Sequence, residues 1–430
     1  MARSVKVAVI GAGAGGLISA REFQREGHQV VVYEKGSRLG GTWAYDPRVE
    51  SDPLSLDPKR EIIHSSAYHS LRTNLPRHVM GFSDYPFTAR KNGDPRNYPG
   101  HEEVLGFLND FAMEFGLTEL IRFDTEVVRV ESRNDEWVVE SRTSGLSSVD
   151  MFEAVVVCNG KHTEPRLANP PGIEKWSGKQ VHSHNYRVPE PFRNQIVVLV
   201  GAGPSAFGIS RDIATVAKEV HLSSRHPDVK FSKLDGYDNI WQHSKINYVN
   251  EDGTVAFEDG CSVKADVIFH CTGYKYHFPF LNTNGIVTID DDNRVGPLYK
   301  HIFPPQLGPW LSFVGIPFMI GTIHMMELQS KWIAHVLSGK VSLPSKEEML
   351  ADVEKFYRHM EESGIPKHYT HQIYPNQFEY TDWLAAQVGI PPPEKVKRIY
   401  TQHMKFVCSS QLEVFRDEWD IDNWISSQDF

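Results

Sequence analysis

The chain has 430 residues, of which 45 are Lys or Arg and 55 are Asp or Glu, so its formal net charge is −10. This length suffices for two domains with large cores, and the acidic balance argues against a general nucleic-acid binder because no basic face would meet the phosphates. The four cysteines form no C-x-x-C pair, and no stretch reaches about 18 continuous apolar residues. We therefore expect a cytoplasmic protein with no leader, no membrane span and no dithiol centre.

The first predicted strand, over residues 7–10, runs into a glycine-rich turn that contains Gly11, Gly13 and Gly16. In a dinucleotide-binding unit these positions permit a tight turn, the approach of a pyrophosphate to the backbone and close packing of the following helix. A helix over 15–27 and a strand over 28–33 follow, and the strand ends at Glu34, where a carboxylate accepts ribose hydroxyls. A carboxylate would repel a 2′-phosphate, so this turn predicts FAD or NAD rather than NADP.

The residues directly after this strand favour FAD. A second glycine pair, Gly40 and Gly41, suits a loop that follows the ribityl chain of a flavin, whereas the alternative is a plain surface turn. We expect cofactor contacts in this segment from Lys35, Arg38, Leu39, Gly41, Thr42 and Trp43.

A second glycine-rich turn follows the apolar strand 196–200. The turn contains Gly201, Gly203, Pro204, Ser205 and Ala206, with alanine as the permitted third small residue. A helix over 207–217 and a strand over 219–222 come next, and this strand ends in Ser223, Ser224 and Arg225 rather than in an acid. Hydroxyl and guanidinium groups bind a 2′-phosphate, so the second turn favours NADPH over NADH. The alternative for Arg225 is an exposed arginine at the start of a loop.

Two more apolar strands, 154–157 and 266–271, each run towards a glycine that lets another backbone pass. We expect Thr272 and Gly273, which follow the second of them, to contact a cofactor. Such strands suit the crossings between nested domains, so we predict an α/β fold with two nested Rossmann-like dinucleotide-binding domains. Residues 1–164 and 276–430 would form the FAD-binding domain, and residues 165–275 the inserted NADPH-binding domain.

The segment 176–186 resembles the fingerprint F-x-G-x-x-x-H-x-x-x-Y of the flavin-containing monooxygenases, with Trp176 in place of the first aromatic residue. The segment 68–76 is similar to the T-N-x-P motif of this family. The resemblance implies that Thr73, Asn74 and Leu75 lie at the cofactors, and that Asn74 is the catalytic residue, which orients the flavin and NADP⁺. The segment 313–317, together with Glu327 and Gln329, resembles the segment that closes the FAD site in the family.

Several segments look most like the plant branch that oxygenates sulfur; they are Asn74–Arg77, Asp84–Phe87 and Tyr98–Pro99. The resemblance implies FAD and NADPH as cofactors, O₂ as co-substrate and a thioether as substrate. The thioether would be an S-alkyl or S-allyl cysteine, or a glucosinolate-type side chain, converted to a sulfoxide by a flavin C4a-hydroperoxide. A homodimer is an open expectation. One position departs from the family, because Gly208 stands where an aspartate is usual.

Other activities remain open at this point. The same cofactor motifs occur in N-oxygenases of amines and in auxin-type oxidative decarboxylases of the family. A disulfide reductase shares the two glycine-rich turns but needs a dithiol that this chain lacks. A flavoprotein that only senses redox state would bind FAD without turning over any nucleophile.

Some residues are open between structural and functional roles. The histidines at 162, 182 and 184 lack the spacing of a helical ligand pair, so we expect structural roles for them and no metal site. Phe318, Met319 and residues 324–326 would line the substrate pocket or pack in the core. Tyr237, Trp241 and His243 fall in a stretch predicted to be irregular and are weaker candidates. The residues after 340 have the amphipathic pattern of scaffold helices.

Overall fold

Two parallel sheets carry the two glycine-rich turns. The structure is a computed structural model that describes residues 3–408 and 415–428, apart from the side chain of Cys408. The described helices are α1 (Ala14–Arg25), α2 (His101–Glu114), α3 (Pro204–Ala214), α4 (Thr322–Ser338), α5 (Lys346–Glu362), α6 (Gln377–Gln387), α7 (Glu394–Cys408), α8 (Phe415–Glu418) and α9 (Ile421–Ser426). The described strands are β1 (Lys6–Ile10), β2 (Gln29–Tyr33), β3 (Ile121–Arg122), β4 (Thr125–Arg133), β5 (Glu136–Thr143), β6 (Leu146–Phe152), β7 (Ala154–Val157), β8 (Glu164–Pro165), β9 (Lys179–His182), β10 (Ile196–Val200), β11 (Glu219–Ser223), β12 (Ser232–Lys233), β13 (Ile240–His243), β14 (Ile246–Val249), β15 (Thr254–Phe257), β16 (Ser262–Lys264), β17 (Val267–His270), β18 (Tyr274–Lys275), β19 (Leu281–Asn282), β20 (Thr288–Ile289), β21 (Val295–Gly296) and β22 (Leu311–Phe313).

The first sheet has the strand order β22-β7-β1-β2-β3, and all its neighbours run parallel. In the centre, Val9 of β1 lies opposite Val32 of β2 and Val156 of β7. All three valines are fully buried, as expected for parallel strands that are covered on both faces. The helix α1 follows β1 and packs against α4, where a Cβ on Gly15 would stand 3.1 Å from the sulfur of Met326. The glycine therefore lets the two helices approach closely.

The second sheet has the strand order β12-β13-β11-β10-β17-β9. Its strands are parallel except for β12, which runs antiparallel to β13. The helix α3 between β10 and β11 begins at Pro204, directly after its N-cap residue Gly203. The sequence places this start at Phe207, three residues later. Proline is favoured in the first helical turn because its missing N–H would have no intrahelical partner there, so the helix begins earlier.

Antiparallel strands form the remaining larger sheets. The strands β4, β5 and β6 make a meander, with β19 parallel to β4, and β14-β15-β16 form a three-stranded sheet. The chain folds as two compact units. Unit 1 comprises Met1–Ala44, Leu75–Lys161 and Tyr276–Phe430, and unit 2 comprises Tyr45–Asn74 and His162–Lys275.

The predicted α/β class with parallel sheets is confirmed. The helical pattern after residue 340 is also confirmed, because α5 buries Met349 and Val353 in the core that α1 and α4 share. The irregular stretch predicted around His243 is wrong, because Ile240–His243 forms the strand β13. Ile240 is fully buried opposite Val220 of β11, so pairing with a distant strand overrides the polar local sequence. None of the described helices is long and apolar enough to cross a membrane.

Candidate functional site

The first glycine-rich turn is tight for steric reasons. The Gly11 N–H donates to the Tyr33 carbonyl over 2.8 Å, which joins the ends of β1 and β2. Gly11 has a φ of +103°, and a Cβ there would lie 2.7 Å from the Cys158 carbonyl oxygen. A Cβ on Gly16 would overlap the Gly11 carbonyl oxygen. The turn therefore requires glycine at both positions, as predicted from the spacing.

The helix that follows presents an open N-terminus. No side chain caps α1 at Gly13, and no acidic residue lies in its first turn. A Cβ on Gly13 would meet only the backbone of Gly41, with 3.6 Å to its Cα. Free N–H groups and the positive end of the helix dipole attract a phosphate group at such a position. The residues present therefore fit the pyrophosphate of a dinucleotide.

Glu34 stands at the end of β2, where the sequence places a ribose-binding acid. Its carboxylate accepts hydrogen bonds from the Ala12 N–H at 2.8 Å and the Gly36 N–H at 2.7 Å. Burial raises the pKa of this carboxyl, while the two backbone donors act in the opposite direction. Each carboxylate oxygen has a second lone pair, so the group still accepts hydroxyl donors from a ribose.

In the loop after Glu34, some of the predicted cofactor residues lie at the surface and others lie in the protein interior. The Lys35 ammonium lies 2.7 Å from Glu126 in an ion pair at the surface, and the Arg38 side chain is exposed. Leu39 is buried in the core. Gly41, Thr42 and Trp43 form one 3₁₀ turn that brings Gly41 against Gly13.

The two predicted residues on α4 have different partners. The Gln329 side chain accepts from the Gly315 N–H at 3.0 Å and donates to the Tyr380 hydroxyl at 2.9 Å, so it holds the turn after β22. Glu327 is fully buried and accepts from the Ser83 N–H at 2.9 Å and the Lys331 ammonium at 2.6 Å.

A buried ionic cluster surrounds Glu327, and the sequence gives no signal of its partners outside α4. The guanidinium of Arg21 lies 3.6 Å from Glu327, 2.5 Å from Glu22 and 2.6 Å from Asp84. Burial alone would raise the pKa of Glu327. The donors and the charge of Lys331 outweigh burial and hold this pKa at about 2. The carboxylate is therefore ionised inside the core.

The second glycine-rich turn repeats the first in unit 2. The Gly201 N–H donates to the Ser223 carbonyl over 2.9 Å. Gly201 has a φ of +121°, and a Cβ there would overlap the Cys271 carbonyl oxygen. No side chain caps α3 at Gly203, and a Cβ on Gly203 would meet no described atom within 4 Å. Pro204 opens the helix, Ser205 is half-buried and Ala206 is fully buried. This N-terminus also fits a phosphate group.

The end of β11 leads into an exposed arginine. Ser223 and Ser224 are buried, with the Ser223 hydroxyl donating to the Ser244 carbonyl and the Ser224 hydroxyl accepting from the His226 N–H, each over 3.1 Å. The Arg225 side chain is exposed. Of the three predicted residues, Arg225 therefore has the side chain with room to meet a ligand.

The histidines of the fingerprint segment have structural partners. A ring nitrogen of His182 lies 3.1 Å from the Gly273 carbonyl, and burial lowers the His182 pKa to about 3. His184 lies 3.1 Å from the Glu50 carboxylate and 2.8 Å from the Ser66 hydroxyl. The Thr272 hydroxyl donates to the Arg166 carbonyl. His182 and His184 therefore hydrogen-bond to groups of the surrounding chain, which agrees with the structural role expected of them.

The glycine at position 208 has a steric explanation. A Cβ on Gly208 would overlap the hydroxyl of Tyr68. The Tyr68 ring packs edge-on against Tyr186, with 5.3 Å between the ring centroids, and the Tyr186 hydroxyl donates to Asp212 at 2.6 Å. An aspartate at 208 would therefore require the end of the Tyr68 side chain to move.

The segment with the predicted catalytic residue is partly exposed. Thr73 is buried, and its hydroxyl has no hydrogen-bond partner among the described residues. Asn74 is exposed, and Leu75 packs half-buried against a hydrophobic core. An unpaired buried hydroxyl is costly, so Thr73 has capacity for an additional polar partner.

The candidate pocket residues near α4 divide between core and surface. Met325 is fully buried, and Met326 contacts the helix α1 at Gly15, so both pack in the core. Met319 has a φ of +57° and is exposed, and Phe318 is half-buried.

Comparison with known proteins adds sequence and structural relatives. The model of a family described as flavin-binding monooxygenase-like matches residues 4–242 and 236–402. The chain is 54% identical over 428 residues to flavin-containing monooxygenase FMO GS-OX5 of Arabidopsis thaliana, covering 98% of this chain and 93% of that protein. The solved S-allyl-L-cysteine S-oxygenase from Allium sativum is 55% identical with a TM-score of 0.96, covering 99% of this chain and 98% of that one. Tmm from a Pelagibacter strain is 26% identical with a TM-score of 0.78, covering 92% and 90%.

Proposed function

Since this chain belongs to the flavin-binding monooxygenase-like family, it is a flavin-dependent monooxygenase, and we propose that it uses NADPH and O₂ to convert a thioether to a sulfoxide. The main support for this proposal is that α1 and α3 each begin without a side-chain cap, directly after a parallel strand and a glycine-rich turn. The N-cap glycine of each helix leaves space in which a phosphate group could lie. The S-oxygenases among the relatives support sulfur as the atom that receives oxygen.

We assign one dinucleotide to each turn. FAD would place its pyrophosphate at Gly11, Gly13 and Gly16, and its ribose at Glu34. NADPH would bind at Gly201 and Gly203, with its 2′-phosphate against Arg225. The FAD-binding domain would then consist of 1–164 and 276–430, and the NADPH-binding domain of 165–275.

The overall reaction consumes one NADPH, one proton and one O₂ for each thioether, and it yields the sulfoxide, NADP⁺ and water. Bound flavin supplies the acceptor for hydride and the activation of O₂. The sulfur contributes its own lone pair, so the chain needs no general base to activate the substrate. The work of the protein is to bind the cofactors, orient them and exclude water.

Arg225→Ala should weaken the use of NADPH but not of NADH. Loss of a charge-assisted hydrogen bond to the 2′-phosphate costs about 1.5–3 kcal/mol, so kcat/KM for NADPH should fall roughly 10- to 100-fold. Steady-state oxidation of each coenzyme measures the ratio. Lys230→Ala removes a nearby exposed cation and should leave the ratio unchanged. An unaltered ratio in Arg225→Ala would place the 2′-phosphate elsewhere.

Asn74→Ala should leave flavin bound but uncouple NADPH oxidation from oxygen transfer to the substrate. The Asn74 amide is exposed, and we propose that it orients the bound cofactors during oxygen transfer. Without it, more of the O₂ consumed should appear as hydrogen peroxide and less as sulfoxide. The measurement is the yield of sulfoxide and of peroxide per NADPH oxidised. Yields equal to those of the wild type would refute this role.

The substrate class is tested with purified, flavin-loaded protein, NADPH and ¹⁸O₂. We expect S-allyl-L-cysteine to gain one labelled oxygen per NADPH consumed, and trimethylamine to gain little under the same conditions. Preferential labelling of the amine would make the chain an N-oxygenase instead. If the protein forms the same amount of peroxide with and without a thioether, sulfur is not the atom that it oxygenates.

A further inference from the structure

Three side chains with metal-binding atoms meet in unit 2. His243 ends the strand β13, while Asp259 and Cys261 lie in the turn between β15 and β16. A ring nitrogen of His243, a carboxylate oxygen of Asp259 and the sulfur of Cys261 all lie within 4.8 Å of one another. We call these three residues the His-Asp-Cys cluster.

A line of polar contacts holds the His243 ring. Its Nδ1 lies 3.3 Å from the Asp259 carboxylate, and its Nε2 lies 3.0 Å from Nδ1 of His221. The other nitrogen of His221 lies 3.3 Å from the Glu219 carboxylate. The His243 ring also stacks on Phe257, with 4.0 Å between the ring centroids.

This line has three contacts but only two ring protons when both imidazoles are neutral. If Nε2–H of His243 donates to His221, and His221 donates to Glu219, then Nδ1 of His243 points a lone pair at the Asp259 carboxylate. Two acceptors at that distance repel each other unless a proton or a metal ion lies between them. In the other tautomer Nδ1–H of His243 donates to Asp259, and the contact without a proton lies between His243 and His221. A ligating histidine usually donates its second ring N–H to a fixed acceptor, and here that acceptor would be His221, which itself contacts Glu219.

The other ligand positions are held in place by the backbone. Asp259 accepts from the Ser244 N–H with one oxygen and from the Cys261 N–H with the other, each over 3.0 Å. Cys261 is a free, half-buried cysteine. His243 and Cys261 also line an open cleft of about 560 Å³. A solvent ligand therefore has access to the cluster.

We propose that His243, Asp259 and Cys261 bind a divalent transition metal, with water from the cleft as the fourth ligand. One nitrogen, one oxygen and one sulfur donor suit Zn²⁺ best among the common ions. Tetrahedral Zn²⁺ spaces its ligand atoms roughly 3.3–3.7 Å apart, so side-chain rotations of about 1 Å complete the site. On binding, the Cys261 thiol forms a bond from sulfur to zinc and releases its proton to the buffer. The ion would link β13 to the β15–β16 turn.

The test uses the full-length, flavin-loaded protein without NADPH, so it does not depend on the proposed reaction. The protein is treated with a chelator, desalted and titrated with Zn²⁺ by calorimetry, and the metal retained after gel filtration is counted. We expect one Zn²⁺ per chain. The Cys261→Ser and His243→Gln variants should each bind on the order of 10- to 100-fold more weakly. His226→Gln removes a neighbouring exposed histidine and should bind like the wild type.

A second measurement needs no variant. Alkylation of Cys261, located by mass spectrometry of its peptide, should slow at least several-fold when one equivalent of Zn²⁺ is present. The absence of stoichiometric binding to the wild type would overturn the proposal, as would equal binding by Cys261→Ser and His243→Gln. The cluster would then be a hydrogen-bonded turn in which a third proton occupies the contact between His243 and Asp259.

Discussion

A single methyl group at Gly13 should weaken the binding of flavin to the protein while leaving its fold in place. Gly13 has a φ of −75°, which alanine adopts readily, and the nearest atom to its Cβ would be the Gly41 Cα at 3.6 Å. The methyl group would stand where the pyrophosphate approaches the N-terminus of α1. We expect Gly13→Ala to bind FAD on the order of 100-fold more weakly, and the apoprotein to lose no more than about 1 kcal/mol of unfolding free energy. Flavin absorbance per chain and denaturation of the apoproteins measure the two effects.

The matched control is the same substitution in the second turn. Gly203 is also an extended N-cap residue, and a Cβ there meets no described atom within 4 Å. Gly203→Ala should therefore keep its full flavin content while its KM for NADPH rises. Full flavin occupancy in Gly13→Ala would mean that the pyrophosphate does not lie against α1.

Glu327→Gln should destabilise the core of unit 1. The fully buried carboxylate faces Arg21 and Lys331, and the neutral amide would leave both cations with less compensation. A pKa of about 2, against an ordinary value of 4.5, corresponds to about 3 kcal/mol of stabilisation at neutral pH. We expect a loss of this size in the free energy of unfolding, measured by denaturation of the apoprotein at pH 7.

The pH dependence of this loss has a defined sign. The pKa of Glu327 is depressed in the folded state, so its stabilisation is fully present above about pH 4.5 and is lost as the pH falls towards 2. The difference between Glu327→Gln and the wild type should therefore shrink across that window. Glu354→Gln, an exposed change on α5, should stay within about 0.5 kcal/mol at every pH. A difference that does not vary with pH would show that charge is not the cause.

The glycine-rich turns could be predicted from the sequence because their residue spacing is a recurring strand–turn–helix pattern. The steric limit at Gly16 lies within one strand–turn–helix unit, because its Cβ would meet the Gly11 carbonyl. The limits at Gly11 and Gly201 come from the Cys158 and Cys271 carbonyls, which follow β7 and β17, yet the recurring glycine spacing still marks both turns.

The partners of Glu327 are only partly local, because His324 and Lys331 lie one helical turn away on α4 whereas Arg21 lies on α1. Arg21 and Asp84 lie hundreds of positions away along the chain, so no spacing rule connects them to α4.

The environment of β13 shows a second limit of local patterns. The residues around His243 look irregular because polar and aromatic residues mix without a period. Pairing with β11 fixes the strand, and the same pairing brings His243 beside His221. The His-Asp-Cys cluster depends on this register together with the β15–β16 turn. The Asp259-Gly260 pair marks that turn in the sequence, but the register with β11 does not follow from any short-range pattern.

The overlap between position 208 and the Tyr68 hydroxyl has an evolutionary consequence. The two positions compete for one volume, so they should covary across the family, with a smaller residue at 68 wherever an acid stands at 208. An acid at 208 in this chain would require the Tyr68 side chain to move away from Tyr186 or position 68 to become smaller.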